Sequence, residues 1–219
     1  MVRTMIPKTD YAPCAKVGEN IYRLMFHRED VEQDVLQEND EGKQVPTGEK
    51  EATDYCNVNL EMLYYKPSPD FIVGLLKSVG IVDLGEATTI ISNFTEEPLS
   101  YLQALLLHNI ETYDTSVAVN SFMLQGKEMW LPKETRVGLV NSVTIEKNAG
   151  KETTTLWFDG AKYELPVDTA LQMLSALELY ALDCYNTTAA HKAAVSALAS
   201  VSEIVNYDYT ANYPSKLNF

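Results

Sequence analysis

Histidine and cysteine are the side chains best suited to nucleophilic or metal chemistry, and this 219-residue chain has three of each: His27, His108, His191, Cys14, Cys56 and Cys184. The cysteines form no C-x-x-C pair and no zinc spacing. Cys184 and His191 fall seven residues apart on one helical seam. Two turns separate them by about 10 Å, too far for a thiolate–imidazole hydrogen bond. A satisfied, partly buried imidazole accounts for His191, an exposed one at a strand end for His27, and one beside an apolar helical stripe for His108.

No nucleophile elbow, zincin pair or phosphate-loop lysine occurs. The run Glu38-Asn39-Asp40-Glu41-Gly42 resembles a calcium loop in composition. It lacks alternating ligands and a closing glutamate at the required spacing, so it reads as a solvated hairpin tip. Trp130 and Trp157 sit in hairpin strands, where an indole belongs in a core or an interface. These observations predict no catalytic residues, no cofactor and no metal; an enzyme with an unrecognised site is a third alternative, behind two docking roles given below.

Charge narrows the partners. Seventeen Lys and Arg stand against 31 Asp and Glu, a net −14. Phosphate binding needs clustered cations, so neither nucleic acid nor an anionic membrane surface is an expected partner. No apolar run approaches membrane-spanning length. The start, Met-Val-Arg-Thr-Met-Ile-Pro, lacks a signal-peptide core, which predicts synthesis in a cytosol. The sequons at Asn93 and Asn186 are then chance occurrences.

The elements that would position these residues can be read along the chain. Residues 1–20, with Pro7, Pro13 and Gly18, show no period and read as an extended arm. Tyr22, Leu24 and Phe26 share one face of a strand, and Cys56, Val58, Leu60, Met62 and Tyr64 share one face of another. Between them, residues 28–53 hold nine acidic side chains, and Gly42, Pro46 and Gly48 are expected to break any regular element. Ser68-Pro69-Asp70 opens a helix that Gly80 stops. A short helix is expected over 86–94, and Thr95 reads as the N-cap of a third carrying Leu99, Leu102, Leu106, Ile110 and Tyr113.

The second half contains a repeat. Residues 122–142 align with 156–176 at an offset of 34, pairing Gly126 with Gly160, Leu131 with Leu165, Pro132 with Pro166 and Thr135 with Thr169. Each copy reads as strand, tight turn, strand, helix, with turns at Gln125-Gly126 and Asp159-Gly160. The two hairpins are expected to join in a four-stranded antiparallel sheet with helices on one face. Ala170, Leu174, Leu177, Ala181, Cys184, Thr188, His191, Val195 and Leu198 alternate by fours and threes. That seam is coiled-coil-like, and two outcomes stay open: a break near Asn186-Thr187-Thr188, or a continuous helix that packs on a partner.

The fold class is therefore α+β, in three parts: an N-terminal arm and β-hairpin (1–66), central helices (67–116) and a duplicated hairpin-plus-helix domain with an aromatic tail (117–219). The segments Thr155-Leu-Trp-Phe-Asp-Gly-Ala-Lys-Tyr-Glu-Leu-Pro, Ala176-Leu-Glu-Leu-Tyr-Ala-Leu-Asp-Cys-Tyr-Asn and Thr188-Ala-Ala-His-Lys-Ala-Ala-Val carry a resemblance. Over about 117–219 the chain resembles a small uncharacterised domain of bacteriophages and prophages of gut bacteria, often attached to tail-fibre or baseplate proteins. The resemblance implies association with a virion, after synthesis in the bacterial host cytoplasm, and no chemistry. The expectation is a non-enzymatic structural or docking protein of the tail, baseplate or fibre attachment. The alternative is an intracellular adaptor or chaperone for fibre assembly. Partners would be other virion proteins and further copies of the chain. Candidate docking residues are Tyr22, Leu24, Phe26, Val58 and Leu60 of the hairpin and Tyr207, Tyr209, Tyr213 and Phe219 of the tail, where tyrosine suits an interface.

Overall fold

The computed structural model of the protein describes residues 1–39, 42–158 and 160–219. Its α+β class follows the sequence expectation: six helices, a four-stranded antiparallel sheet and two small hairpins occur among the described residues. The chain forms two compact units. One comprises residues 1–109 and 195–207, the other 110–194 and 208–219. The central helices are therefore not a unit of their own.

The first unit is built on β1 (Val2–Pro7), β2 (Cys14–Gly18), β3 (Ile21–Glu38) and β4 (Gln44–Leu63), in the order β1-β4-β3-β2. The expected N-terminal arm is thus two edge strands: Val2 pairs with Leu60 through to Pro7 with Tyr55, and Cys14 pairs with Leu24. The expected break over 28–53 is also corrected. β3 and β4 run 18 and 20 residues, leaving only a short tip. Polar side chains on both faces do not prevent pairing when every interior backbone group finds a cross-strand partner or water. Gly42, at φ 75°, sits in that tip, whereas Gly48, at φ 87°, lies within β4, where a register shift accommodates it. Asp40 and Glu41, the centre of the calcium-like run, lie outside the described residues.

Helices α1 (Pro69–Lys77), α2 (Leu84–Ile91) and α3 (Leu99–Asp114) follow. Ser68 caps α1 by accepting from the Phe71 N–H, and Asp83 caps α2 by accepting from the Glu86 N–H. Thr95 is not the cap of α3. Its hydroxyl accepts from the Glu97 N–H in a local turn, and α3 begins after Pro98. Tyr22, Leu24 and Phe26 are buried on one sheet face, where the Tyr22 ring lies 5.0 Å from Phe94. Met25, Cys56 and Val58 form a second buried cluster on the opposite face, with Ile6, Tyr11 and Leu60 against it.

The second unit holds both repeat copies: β5 (Phe122–Leu124), β6 (Lys127–Met129) and α4 (Lys133–Asn148), then β7 (Thr153–Phe158), β8 (Ala161–Pro166) and α5 (Val167–Val195). Gln125 and Gly126, at φ 50° and 79°, make the two-residue turn that matches strand twist. Of the second turn, Gly160 has φ 76°, while Asp159 lies outside the described residues.

The hairpins do not join. Each is its own two-stranded sheet. The reason is visible at β5, whose free edge is taken by the tail: Met123 N–H donates to Leu217 O, Phe219 N–H to Met123 O and Gln125 N–H to Phe219 O, at 2.8–2.9 Å. The two copies instead share one core, in which Phe122, Leu156, Phe158, Tyr163, Met173 and Leu174 are buried. α5 is continuous, about 43 Å long at roughly 1.5 Å per residue. Its four-three seam faces inward: Ala170, Leu174, Leu177, Cys184, Thr188, His191 and Val195 are all buried.

Candidate functional site

The long ribbon of the first unit is the feature without an internal structural use. β2 pairs with β3 only at Ile21–Leu24, and β1 with β4 only at Tyr55–Leu60. Beyond those limits, over 28–38 and 44–54, the two strands pair with each other and, among the described residues, with no other strand. No side chain in that stretch is buried, and Leu36 is 53% exposed. An isolated two-stranded ribbon is marginal in water. Here it is tied at the root.

That root is built by a bulge at Phe26–Glu29. His27 occupies it with φ 54°, a left-handed conformation rarely adopted by a non-glycine residue. Glu86 on α2 receives the His27 N–H at 3.0 Å through one carboxylate oxygen and the Tyr11 hydroxyl through the other. The His27 ring spans to the residues before α2: Nε2–H donates to Ile81 O at 2.8 Å, so Nδ1 accepts from the Asn59 amide at 3.2 Å. Arg3 donates to the His27 carbonyl at 2.6 Å and to Glu29 at 2.7 Å.

Around these groups lies an open cleft of about 840 Å³, lined by Arg3, His27, Arg28, Asp83 and Glu86 among others. Burial, then the bond to Glu86, raises the Tyr11 phenol far above its ordinary range. Salt links to Arg28 and Lys8 hold the Asp30 carboxyl below its ordinary range. General acid–base work needs a carboxylate or imidazole free to exchange a proton with substrate. Here both Glu86 oxygens and both His27 nitrogens are engaged in bonds that fix the bulge. A bulge increases local twist and re-aims a strand, so the arrangement sets the direction in which the ribbon leaves the sheet.

The docking residues expected from sequence fall elsewhere. Tyr22, Leu24, Phe26 and Val58 are interior, at 7% exposure or less, because both sheet faces are covered at that end; they are unavailable to a partner. Leu60 is half-buried against Met25, Cys56 and Val58. In the tail, Tyr209 and Tyr213 pack edge-on to Tyr113, with centroids 5.7 and 5.4 Å away. The Tyr213 hydroxyl donates to Thr188, whose own hydroxyl donates to Asp114 at 2.6 Å. His191 bonds Ala211 O at 2.9 Å and stacks on Tyr213. Phe219 lies 5.9 Å from Phe122, and Tyr207 is half-buried after α6 (Val201–Val205). The tail therefore straps its own fold.

Cys184 is buried, and burial raises its thiol pKa. Among the described residues no three His, Cys, Asp or Glu side chains are grouped to hold a metal ion, and no helix is long and apolar enough to cross a membrane. The root residues Tyr11, Asn59 and Glu86 were invisible to sequence reasoning, since Asn59 and Glu86 meet His27 across 32 and 59 positions and Tyr11 meets Glu86 across 75. The one local signal was His27 itself, sitting where apolar alternation gives way to Arg28-Glu29-Asp30.

Comparison with family models, curated proteins and solved structures finds no match for this chain.

Proposed function

We propose that this chain is a non-enzymatic structural docking protein of a bacteriophage virion, in the tail, baseplate or fibre-attachment region. The coreless ribbon over 28–38 and 44–54 carries the docking part of the reading. A ribbon this long buries nothing in its own unit, so its backbone edges gain most by pairing with a neighbouring protein, as in strand addition. Its acidic side chains fit a neighbour with a basic face. The phage assignment rests on the resemblance of residues 117–219.

The test is proteomic. Purified particles contain the chain, and replacing residues 31–52 with a short turn removes it from particles while leaving the expressed protein folded. Particles lacking the parent chain, or keeping the shortened one at parental level, overturn the reading. The net charge of −14 favours a second reading, an intracellular adaptor for fibre assembly using transient electrostatic docking. In that case the chain accompanies fibre proteins in lysates and is absent from mature particles.

A further inference from the structure

The two copies of the repeat hold their hairpins in one register. Met123 lies opposite Glu128 in the first and Trp157 opposite Lys162 in the second, each the next pair in from the turn. In an antiparallel ladder such a pair alternates with the hydrogen-bonded ones, so the N–H and C=O of Met123 and of Trp157 point away from the partner strand. At Met123 they are occupied. The tail runs parallel to β5 with Asn218 beside Met123; Leu217 O accepts the Met123 N–H, and the Phe219 N–H donates to Met123 O. At Trp157, and at Thr155 and Thr153 in the same phase, no backbone bond closes the edge among the described residues. The Trp157 indole is 65% exposed.

From this difference between the copies we infer that the β7 edge takes an extended acidic segment of another protein, parallel to β7 and in the register that the tail holds on β5. The Trp157 N–H donates to one carbonyl of the segment, and the Trp157 carbonyl accepts from the N–H two residues further on. The β8 edge is guarded by the charges of Lys162 and Glu164 and by Pro166, which has no N–H, whereas β7 presents Thr153, Thr155 and Trp157. Charge selects the segment. On β5 the tail's Lys216 bonds Glu128 at 2.8 Å. The place of Glu128 is taken in the second copy by Lys162, so the sign is reversed, and the fitting segment has a carboxylate where the tail has Lys216. Lys162 bonds Glu164 at 2.6 Å, but both are exposed, and so weak a pair can share its ammonium with a second carboxylate. The residue in the place of Asn218 falls beside the Trp157 indole, which an apolar side chain covers best. The chain's own tail is disfavoured on β7 because it would set Lys216 against Lys162. The inference rests on neither the ribbon nor the virion reading.

Two peptides test it on the full chain: Tyr-Pro-Ser-Lys-Leu-Asn-Phe, the sequence of residues 213–219, and the same peptide with Lys216→Glu. In a nuclear magnetic resonance titration the Lys216→Glu peptide should bind at least about fivefold more tightly, with the Trp157 amide shifted and protected from hydrogen exchange. In the chain variant Lys162→Glu, a change at an exposed side chain, the preference should reverse toward the unaltered peptide. Four results overturn the proposal: neither peptide binding at millimolar concentration, equal binding of both to the parent, a preference indifferent to Lys162→Glu, or an unmoved Trp157 amide beside a tail displaced from Met123. Self-association of the chain that protects the Trp157 amide also overturns it, since a second copy is then the occupant.

Discussion

Removing the Glu86 carboxylate isolates the root latch from the rest of the sheet. In Glu86→Ala, the His27 N–H and the Tyr11 hydroxyl lose the acceptor each holds in the parent. Hydrogen bonds to a charged acceptor contribute about 1.5–3 kcal/mol each. The site is half-buried, so water can replace part of that loss, and the expected cost is about 2–3 kcal/mol for the pair. For a protein of this size, 1 kcal/mol shifts the melting midpoint by roughly 2–4 °C, which gives a drop of about 4–12 °C. Glu86→Gln keeps one acceptor oxygen but turns an amide donor toward the other partner, so about half that drop is expected.

Thermal melting alone cannot separate loss of the latch from a general loss of stability. Hydrogen exchange can, because the His27 amide reports directly on its acceptor. In Glu86→Ala, exchange should accelerate at His27 and along the ribbon over 28–38, with amides of α1 nearly unchanged. A variant that melts within about 1 °C of the parent, or one with parental protection at His27, would refute the claim that Glu86 holds the bulge.

Three other perturbations have defined outcomes. Arg136 is 4% exposed, donates to Glu178 at 2.7 Å and to Leu131 O at 2.6 Å, and lies 5.0 Å over the Trp130 ring. Arg136→Ala should cost about 2–4 kcal/mol in denaturant unfolding; a loss below about 1 kcal/mol would contradict that packing. The Glu203 carboxylate accepts from the Ala199 and Ser200 N–H groups, which hold it below the ordinary glutamate range. A depressed carboxyl stabilises fully above its unfolded pKa, about 4.3, and ceases to as pH falls through the folded value. The melting gap between parent and Glu203→Gln should thus be open at neutral pH and close in acid, whereas a pH-independent gap would contradict this account of the cap. Burial pushes the Cys14 thiol up to about 11, so a thiol reagent at mildly alkaline pH should label it about 100-fold more slowly in the native chain than in denaturant; equal rates would refute the burial.

What was legible in the sequence is what local chemistry decides. The repeat, the Gly126 turn and the helix start at Ser68 each rest on a few adjacent residues, and the structure has them where the sequence puts them. Illegible features depend on distant partners or on patterns without a period. Val2–Pro7 is a strand because β4 lies beside it, its partners running from Leu60 to Tyr55, and six edge residues carry too short an alternation to declare it. The ribbon has polar side chains on both faces, so no hydrophobic period marks its strands. The seam on α5 was read correctly as a seam, but spacing cannot say whether the opposing surface belongs to the same chain. In the structure it does, and the docking candidates in the tail were misplaced for the same reason: Tyr209, Tyr213 and Phe219 find their apolar partners on Tyr113 and Phe122.

Charge bears on what the proposed docking ribbon can pair with. The edge strands of the four-stranded sheet are short, six and five residues, and Pro7 and the irregularity at Gly18 blunt them further. The β5 edge is closed by residues 217–219. The longest run of free backbone therefore lies on the ribbon, where edge-to-edge pairing with another copy would bring two acidic ribbons together. Repulsion at that distance opposes self-assembly and leaves a basic neighbour as the favoured partner.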